Sequence, residues 1–224
     1  MRSKKKFCIC ALVLVFCAIM AVVDGVLQAD YFIKSLIKLV LFLGFPALYA
    51  YLDKDLKIKP LFAFDKRGIC LAFGLGIGVY AVILGGYFLL KDVFDFSGIT
   101  QSLTGNIGVS RENFLYVSLY ISFINSLLEE FFFRGFAFLT LKSVANARFA
   151  YLFSAGIFAV YHVAMMIGWF SLPVFTIVLV GLFAGGLIFN YLNAKSGTVY
   201  PSWLVHMFAN FAINTIGFML FGMI

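Results

Sequence analysis

The sequence predicts an all-α, polytopic membrane protein with seven or eight transmembrane helices. Of its 224 residues, 63% are hydrophobic and 12% are charged, whereas a soluble domain is roughly half apolar and about one quarter charged. Aromatic residues account for 19% of the chain, which suits contact with lipid better than a compact aqueous core. Several apolar stretches reach the roughly 20 residues that a helix needs to cross a bilayer.

The charge and the cysteines exclude several other classes. The net charge is +7, but the lysines and arginines lie mostly between the apolar stretches, as expected of residues that orient a membrane protein. Three of the four cysteines fall in the first apolar stretch, which favours buried thiols over a disulfide framework. The composition therefore excludes a disordered chain, a coiled coil, a nucleic-acid-binding protein and a disulfide scaffold.

The apolar stretches define the predicted membrane helices. The first follows a basic N-terminal cluster, so a signal peptide is the competing interpretation, but its apolar core is long and no small-residue cleavage site follows. We detect no internal repeat and no long linker, which favours one domain over residues 1–224, with a motif-bearing core at about 114–223. The predicted helices cover about residues 7–27, 33–52, 69–90, 114–141, 149–168, 172–192 and 200–223.

The distribution of basic residues predicts the orientation. If the N-terminus is cytoplasmic, twelve of the seventeen lysines and arginines lie on the inner side. Four are assigned to the outer side, and Arg134 lies within the membrane. The excess predicts a cytoplasmic N-terminus and an outer C-terminus. The four outer residues are Lys34, Lys38, Lys91 and Arg111.

A small group of polar residues lies inside the predicted membrane helices, where an ionisable side chain costs several kcal/mol unless it is paired or faces water. Both histidines of the chain belong to this group. The residues are Glu129, Glu130 and Arg134 in the fourth helix, His162 in the fifth, and His206 and Asn210 in the seventh.

Each of these residues also has a purely structural explanation. Glu130 and Arg134 are spaced i,i+4 and can form a structural ion pair. The asparagines of the seventh helix can hold helices together by hydrogen bonds, and Asp24 is expected to lie at the interface. Together, however, carboxylates, histidines and an asparagine at similar depths favour activation of water by a carboxylate and stabilisation of an oxyanion.

The polar residues fall in three motifs that resemble a known family. In chain order they are EExxxR at 129–134, FxxxH at 158–162 and HxxxN at 206–210. This set, on three membrane helices, is similar to that of the CPBP intramembrane proteases, also called the CAAX-protease and bacteriocin-processing family. The resemblance implies a CAAX-protease-like helical bundle, for which eight helices are common.

The resemblance implies a role for each matched residue. Glu129 would activate the attacking water, and His162 would help to hold or polarise it. His206 and Asn210 would stabilise the tetrahedral oxyanion. The resemblance assigns no substrate-binding residues.

The same resemblance bears on the second carboxylate and on metal use. Glu130 and Arg134 would orient the fourth helix and adjust the catalytic carboxylate. Family members are often called metalloproteases, and Glu129, His162 and His206 are a possible zinc-ligand set. The HExxH spacing of zinc proteases is absent, and the eukaryotic CAAX enzyme is described as glutamate-dependent. We therefore predict no metal firmly and leave zinc as an alternative.

The expected function is intramembrane hydrolysis of a peptide bond in a hydrophobic, membrane-associated or lipid-modified peptide or protein. Its partners would be that substrate and the lipid bilayer, and not nucleic acid. The small size favours the plasma membrane of a prokaryote. Two alternatives remain: a non-catalytic immunity or scaffold protein, and a proton-coupled carrier, in which intramembrane Glu and His act as relays.

Overall fold

A computed structural model describes residues 2–53, 57–106 and 108–224. The described residues contain helices and no β-strand, which confirms the predicted all-α class. In these ranges we number nine helices: α1 Arg2–Gly25, α2 Tyr31–Leu52, α3 Ile58–Leu61, α4 Lys66–Leu90, α5 Ser97–Asn106, α6 at 114–144, α7 Ala147–Met165, α8 Leu172–Ser196 and α9 Tyr200–Leu220.

Six of these helices are long and apolar enough to cross a membrane, namely α1, α2, α4, α7, α8 and α9. Many of their large apolar side chains lie on the outside of the protein. Val82, Leu89 and Val180, for example, are 62–80% exposed. Apolar surface on this scale requires lipid around it. The chain is therefore an integral membrane protein.

The predicted fourth membrane segment corresponds to α6, a continuous helical run of several short segments. Two of them, Ile121–Asn125 and Phe131–Thr140, are π-helical. Between them lies one α-helical turn, Ser126–Glu130, which carries the two adjacent glutamates. Wide π turns are rare and often mark functional sites. The expectation of a seventh membrane crossing depends on this irregular helix.

Aromatic packing holds α2 against α6. The ring of Phe42 stacks on Phe132 with centroids 3.9 Å apart, and it meets Phe133 edge to face at 5.5 Å. All three rings are buried. Because such aromatic pairs add stabilisation beyond the area they bury, this contact fixes the helix that carries Lys38 beside the helix that carries Glu129.

Close packing of α7 and α8 depends on small residues. The Cα of Gly186 on α8 faces Ala155 on α7, and a Cβ atom at Gly186 would lie 3.0 Å from the Ala155 Cα atom. At the neighbouring Gly185, nothing lies within 4 Å of the corresponding position. Small residues at such crossings let membrane helices approach closely.

We predict that Gly186→Ala destabilises the protein and that Gly185→Ala does not. Both substitutions gain helix propensity, but Gly186→Ala also forces apart the backbones of α7 and α8. We expect Gly186→Ala to be less stable than Gly185→Ala by about 1–3 kcal/mol. Thermal unfolding of both variants in the same detergent measures this difference. Equal midpoints would contradict the close packing.

Candidate active site

The two carboxylate oxygens of Glu129 have different surroundings. Glu129 lies in α6 and is 2% exposed. Its Oε1 atom accepts hydrogen bonds from Lys38 Nζ and from Asn125 Nδ2, each at 3.0 Å. Lys38 also donates to Asn125 Oδ1 at 2.8 Å. The three side chains thus form a closed triangle that fixes the orientation of the carboxylate.

The Oε2 atom of Glu129 faces both histidines. It lies 3.8 Å from Nε2 of His162 on α7 and 3.9 Å from Nε2 of His206 on α9. These separations are too long for direct hydrogen bonds. They are short enough for the three atoms to contact one small molecule between them. Two other helices therefore each place a ring nitrogen within 3.9 Å of one carboxylate oxygen of α6.

The other ring nitrogen of each histidine fixes its protonation pattern. Nδ1 of His162 lies 2.7 Å from the Phe158 carbonyl oxygen, and Nδ1 of His206 lies 2.9 Å from Glu130 Oε1. A carbonyl oxygen and an ionised carboxylate only accept hydrogen bonds, so each Nδ1 is the donor. In its neutral form, each ring therefore presents an Nε2 lone pair to the Glu129 side.

Glu130 connects His206 to a fully buried arginine. Arg134 Nη1 lies 3.3 Å from Glu130 Oε1, and neither side chain is exposed. The guanidinium carbon lies 4.0 Å above the Phe158 ring centroid and 4.8 Å from that of Phe189. Its nitrogen atoms have no hydrogen-bond partner among the described residues. The arginine charge therefore depends on Glu130 and on the aromatic faces around it.

Asn210 lies one turn from His206 on α9, and its amide donates a hydrogen bond to backbone. Its Nδ2 donates to the Ile121 carbonyl at 3.2 Å. One turn further, Asn214 donates to the Ser118 carbonyl and to Ser122 Oγ. Ile121 and Ser122 lie in the first π segment of α6, and Ser118 lies just before it. Two asparagines of α9 therefore bond to this irregular part of α6. The second amide N–H of Asn210 remains a candidate donor to a ligand.

Sequence reasoning missed Lys38. The sequence predicts Lys34 and Lys38 as orienting charges on the outer side of the membrane, but their side chains are buried partners of carboxylates. Both are buried within α2, where Lys38 contacts Glu129 and Lys34 pairs with Asp24 at 3.4 Å. The side chain of Asp24, which the sequence predicts to lie at the interface, is 5% exposed where it pairs with Lys34. Two lysines spaced i,i+4 inside an apolar helix were the available signal.

The residues of the zinc alternative do not fit the metal in this arrangement. Zinc binds nitrogen and oxygen at about 2.0–2.2 Å in a tetrahedron, which separates its ligand atoms by about 3.3–3.6 Å. The separations of Glu129 from His162 and His206 are longer, and Lys38 already neutralises the carboxylate. Within the described ranges, no group of three His, Cys, Asp or Glu residues is arranged to hold a metal ion. The metalloprotease assignment is therefore not supported.

Comparison with known families adds one finding. Residues 111–212 match the family model described as "Type II CAAX prenyl endopeptidase Rce1-like". The matched segment contains α6, α7 and α8 and the part of α9 that carries His206 and Asn210. No curated protein and no solved structure matches the chain.

We predict that Glu130→Gln destabilises the protein strongly, because it leaves the Arg134 charge buried without an anion. Breaking one side of a buried ion pair costs about 3–5 kcal/mol. The double variant Glu130→Gln/Arg134→Met removes both charges and is expected to recover much of that loss. Thermal unfolding of both variants tests this expectation. A single variant as stable as the wild type would show that the pair does not support the fold.

Proposed function

We propose that the chain is a glutamate-dependent intramembrane endopeptidase, because residues 111–212 match the model of the Rce1-like CAAX prenyl endopeptidase family. At family level the match implies a protease in a lipid bilayer that acts on a peptide substrate. We further propose that the substrate is a hydrophobic peptide or the tail of a membrane protein, with or without a lipid modification. The bond is hydrolysed by water that Glu129 activates.

The observation that carries this proposal is the orientation of the Glu129 carboxylate. Lys38 and Asn125 occupy Oε1, which leaves Oε2 directed towards His162 and His206. A water molecule bound between Oε2 and His162 donates one hydrogen to Oε2 and the other to the neutral Nε2 of His162. This arrangement aligns the water oxygen for attack, and the carboxylate is the base that accepts the proton.

The chemical steps follow from these positions. The water oxygen forms a bond to the peptide carbonyl carbon, Glu129 takes the water proton, and the carbonyl oxygen becomes an oxyanion. The tetrahedral intermediate then collapses, the carbon–nitrogen bond breaks, and Glu129 returns the proton to the leaving nitrogen. One carboxylate thus serves as base and then as acid.

His206 and Asn210 are the proposed oxyanion donors. When both ring nitrogens of His206 carry protons, Nδ1–H is held by Glu130 and Nε2–H is available to the oxyanion. Asn210 supplies the amide N–H that does not bond to Ile121. Donors of this kind in a water-poor site stabilise developing negative charge.

Glu130 and Arg134 are proposed as positioning residues. Glu130 orients the His206 ring through Nδ1 and balances its charge, while Arg134 holds Glu130. The adjacent glutamates of α6 therefore have different tasks. Glu129 acts on water, and Glu130 acts on His206.

We also propose that the N-terminus is cytoplasmic and that the membrane is the plasma membrane of a prokaryote. With Lys34 and Lys38 buried inside α2, Lys91 and Arg111 are the outer-side cations that remain, against twelve on the inner side. Of these twelve, Lys54 lies outside the described residues. The asymmetry supports the positive-inside orientation.

We predict that Glu129→Gln abolishes peptide cleavage without unfolding the protein. The amide preserves the shape of the side chain but cannot accept the water proton. The assay uses purified protein in nanodiscs with a pool of fluorescent hydrophobic peptides, with and without a prenylated C-terminus. Glu112→Gln, a change at an exposed turn residue, is the matched control and should cleave like the wild type.

Three results would contradict the proposal of a glutamate-dependent protease. Full activity of Glu129→Gln would remove this residue from the chemistry. Equal binding of a partner by wild type and Glu129→Gln, with cleavage by neither, would indicate the scaffold alternative. Flux driven by a pH gradient in liposomes, without cleavage, would indicate the carrier.

We predict that cleavage survives removal of metal ions. In the proposed mechanism a carboxylate activates the water, and two imidazoles and an amide complete the site. Exhaustive chelation should therefore leave the rate of peptide cleavage within about twofold of that of the untreated protein. Metal analysis of the same active sample should find no stoichiometric zinc. Loss of activity on chelation that zinc alone restores, with one zinc per chain, would overturn the glutamate-dependent mechanism.

A further inference from the structure

We propose that Lys38 is a positioning residue of the active site, which fixes the Glu129 carboxylate so that its Oε2 atom faces the two histidines. This inference rests on the proposed function and adds a residue that lies outside the matched segment and outside its three motifs. Lys38 belongs to α2 and lies 91 residues before Glu129 in the chain.

The contacts of Lys38 hold its ammonium group from three sides. Nζ donates to Glu129 Oε1 at 3.0 Å and to Asn125 Oδ1 at 2.8 Å, and it lies 5.3 Å from the centroid of the Tyr161 ring. The Lys38 side chain is only 10% exposed. A buried ammonium with these contacts cannot move freely. The carboxylate that it binds therefore has a fixed rotation about its last bond.

This fixed rotation matters because the two carboxylate oxygens would otherwise be equivalent. With Oε1 bound by Lys38 and Asn125, Oε2 is the oxygen presented to His162 and His206. If Lys38 is removed, Asn125 alone holds Oε1 by one neutral hydrogen bond. The carboxylate can then rotate, and its alignment with the attacking water is lost.

Lys38 also supplies the positive charge that directly contacts Glu129. An unpaired carboxylate in a membrane helix strongly favours its neutral form, and a neutral carboxyl group cannot accept a proton from water. The histidines approach Glu129 only at 3.8–3.9 Å. Other titratable or charged groups that interact with Glu129 electrostatically are Cys17 on α1, Tyr31 on α2, Arg134 on α6 and Tyr161 on α7.

Lys34 provides a matched control within the same helix. It lies one turn before Lys38, it is buried to the same degree, and it pairs with Asp24 on α1. Its ion pair does not include Glu129. Lys34→Met therefore removes a buried lysine from α2 without removing a contact of the catalytic carboxylate.

The test compares Lys38→Met, Lys38→Arg and Lys34→Met with the wild type, using a peptide that the wild type cleaves. We expect Lys38→Met to lower kcat by about 100-fold or more with KM changed less than about threefold, as for loss of a transition-state interaction. The acid limb of the pH–rate profile of Lys38→Met should lie at higher pH than that of the wild type. Lys38→Arg should recover most of the rate, and Lys34→Met should keep the wild-type profile.

Two outcomes would overturn the inference. A Lys38→Met variant with wild-type kcat and pH profile would show that Lys38 does not act on Glu129. A similar rate loss in Lys38→Met and Lys34→Met, with lowered thermal stability and an unchanged pH profile, would show a purely structural role.

An infrared measurement tests Lys38 even if the proposed protease function fails. At neutral pH, Lys38→Met should show a protonated-carboxyl absorption that is absent from the wild type and from Lys38→Met/Glu129→Gln. Absence of this band in Lys38→Met would overturn the inference regardless of activity. Its presence, with no peptide cleaved by the wild type, would support the Lys38–Glu129 contact and reject only the protease.

Discussion

Two adjacent carboxylates, Glu129 and Glu130, lie buried in a membrane protein, where each requires partners that only tertiary packing supplies. Lys38 reaches Glu129 from α2, and Arg134 reaches Glu130 from the next turn of α6. His206 of α9 bonds to Glu130 and faces Glu129. The packing of α2, α6 and α9 therefore brings partners to the negative charges of Glu129 and Glu130.

The irregular shape of α6 fits this arrangement. Neighbouring residues on an α-helix point about 100° apart, so two consecutive glutamates address different neighbours. The single α-helical turn that carries them lies between two π segments, and Asn210 and Asn214 of α9 bond to groups in and beside the first of these. Asn210 therefore has both a structural and a proposed chemical role.

Composition alone predicted the class of protein, because a chain this apolar and this poor in charge has few alternatives. Motif spacing singled out His162 and His206, whose Nε2 atoms lie 3.8 and 3.9 Å from Glu129 Oε2. The contact of Lys38 with Glu129 could not be predicted, since it joins residues far apart in the chain through the packing of α2 on α6. The bond of Asn210 to Ile121 was likewise hidden, because it depends on a π segment that the helical periodicity does not reveal.

The central claim is that Glu129 activates water and does not attack the substrate itself. The most direct measurement is a single turnover in water enriched in heavy oxygen, followed by mass spectrometry of the products and of the peptide that contains Glu129. Our account predicts heavy oxygen in the new C-terminal carboxylate of the cleaved substrate and none in Glu129. Heavy oxygen in the Glu129 side chain, with an unlabelled product, would contradict it and indicate a covalent intermediate.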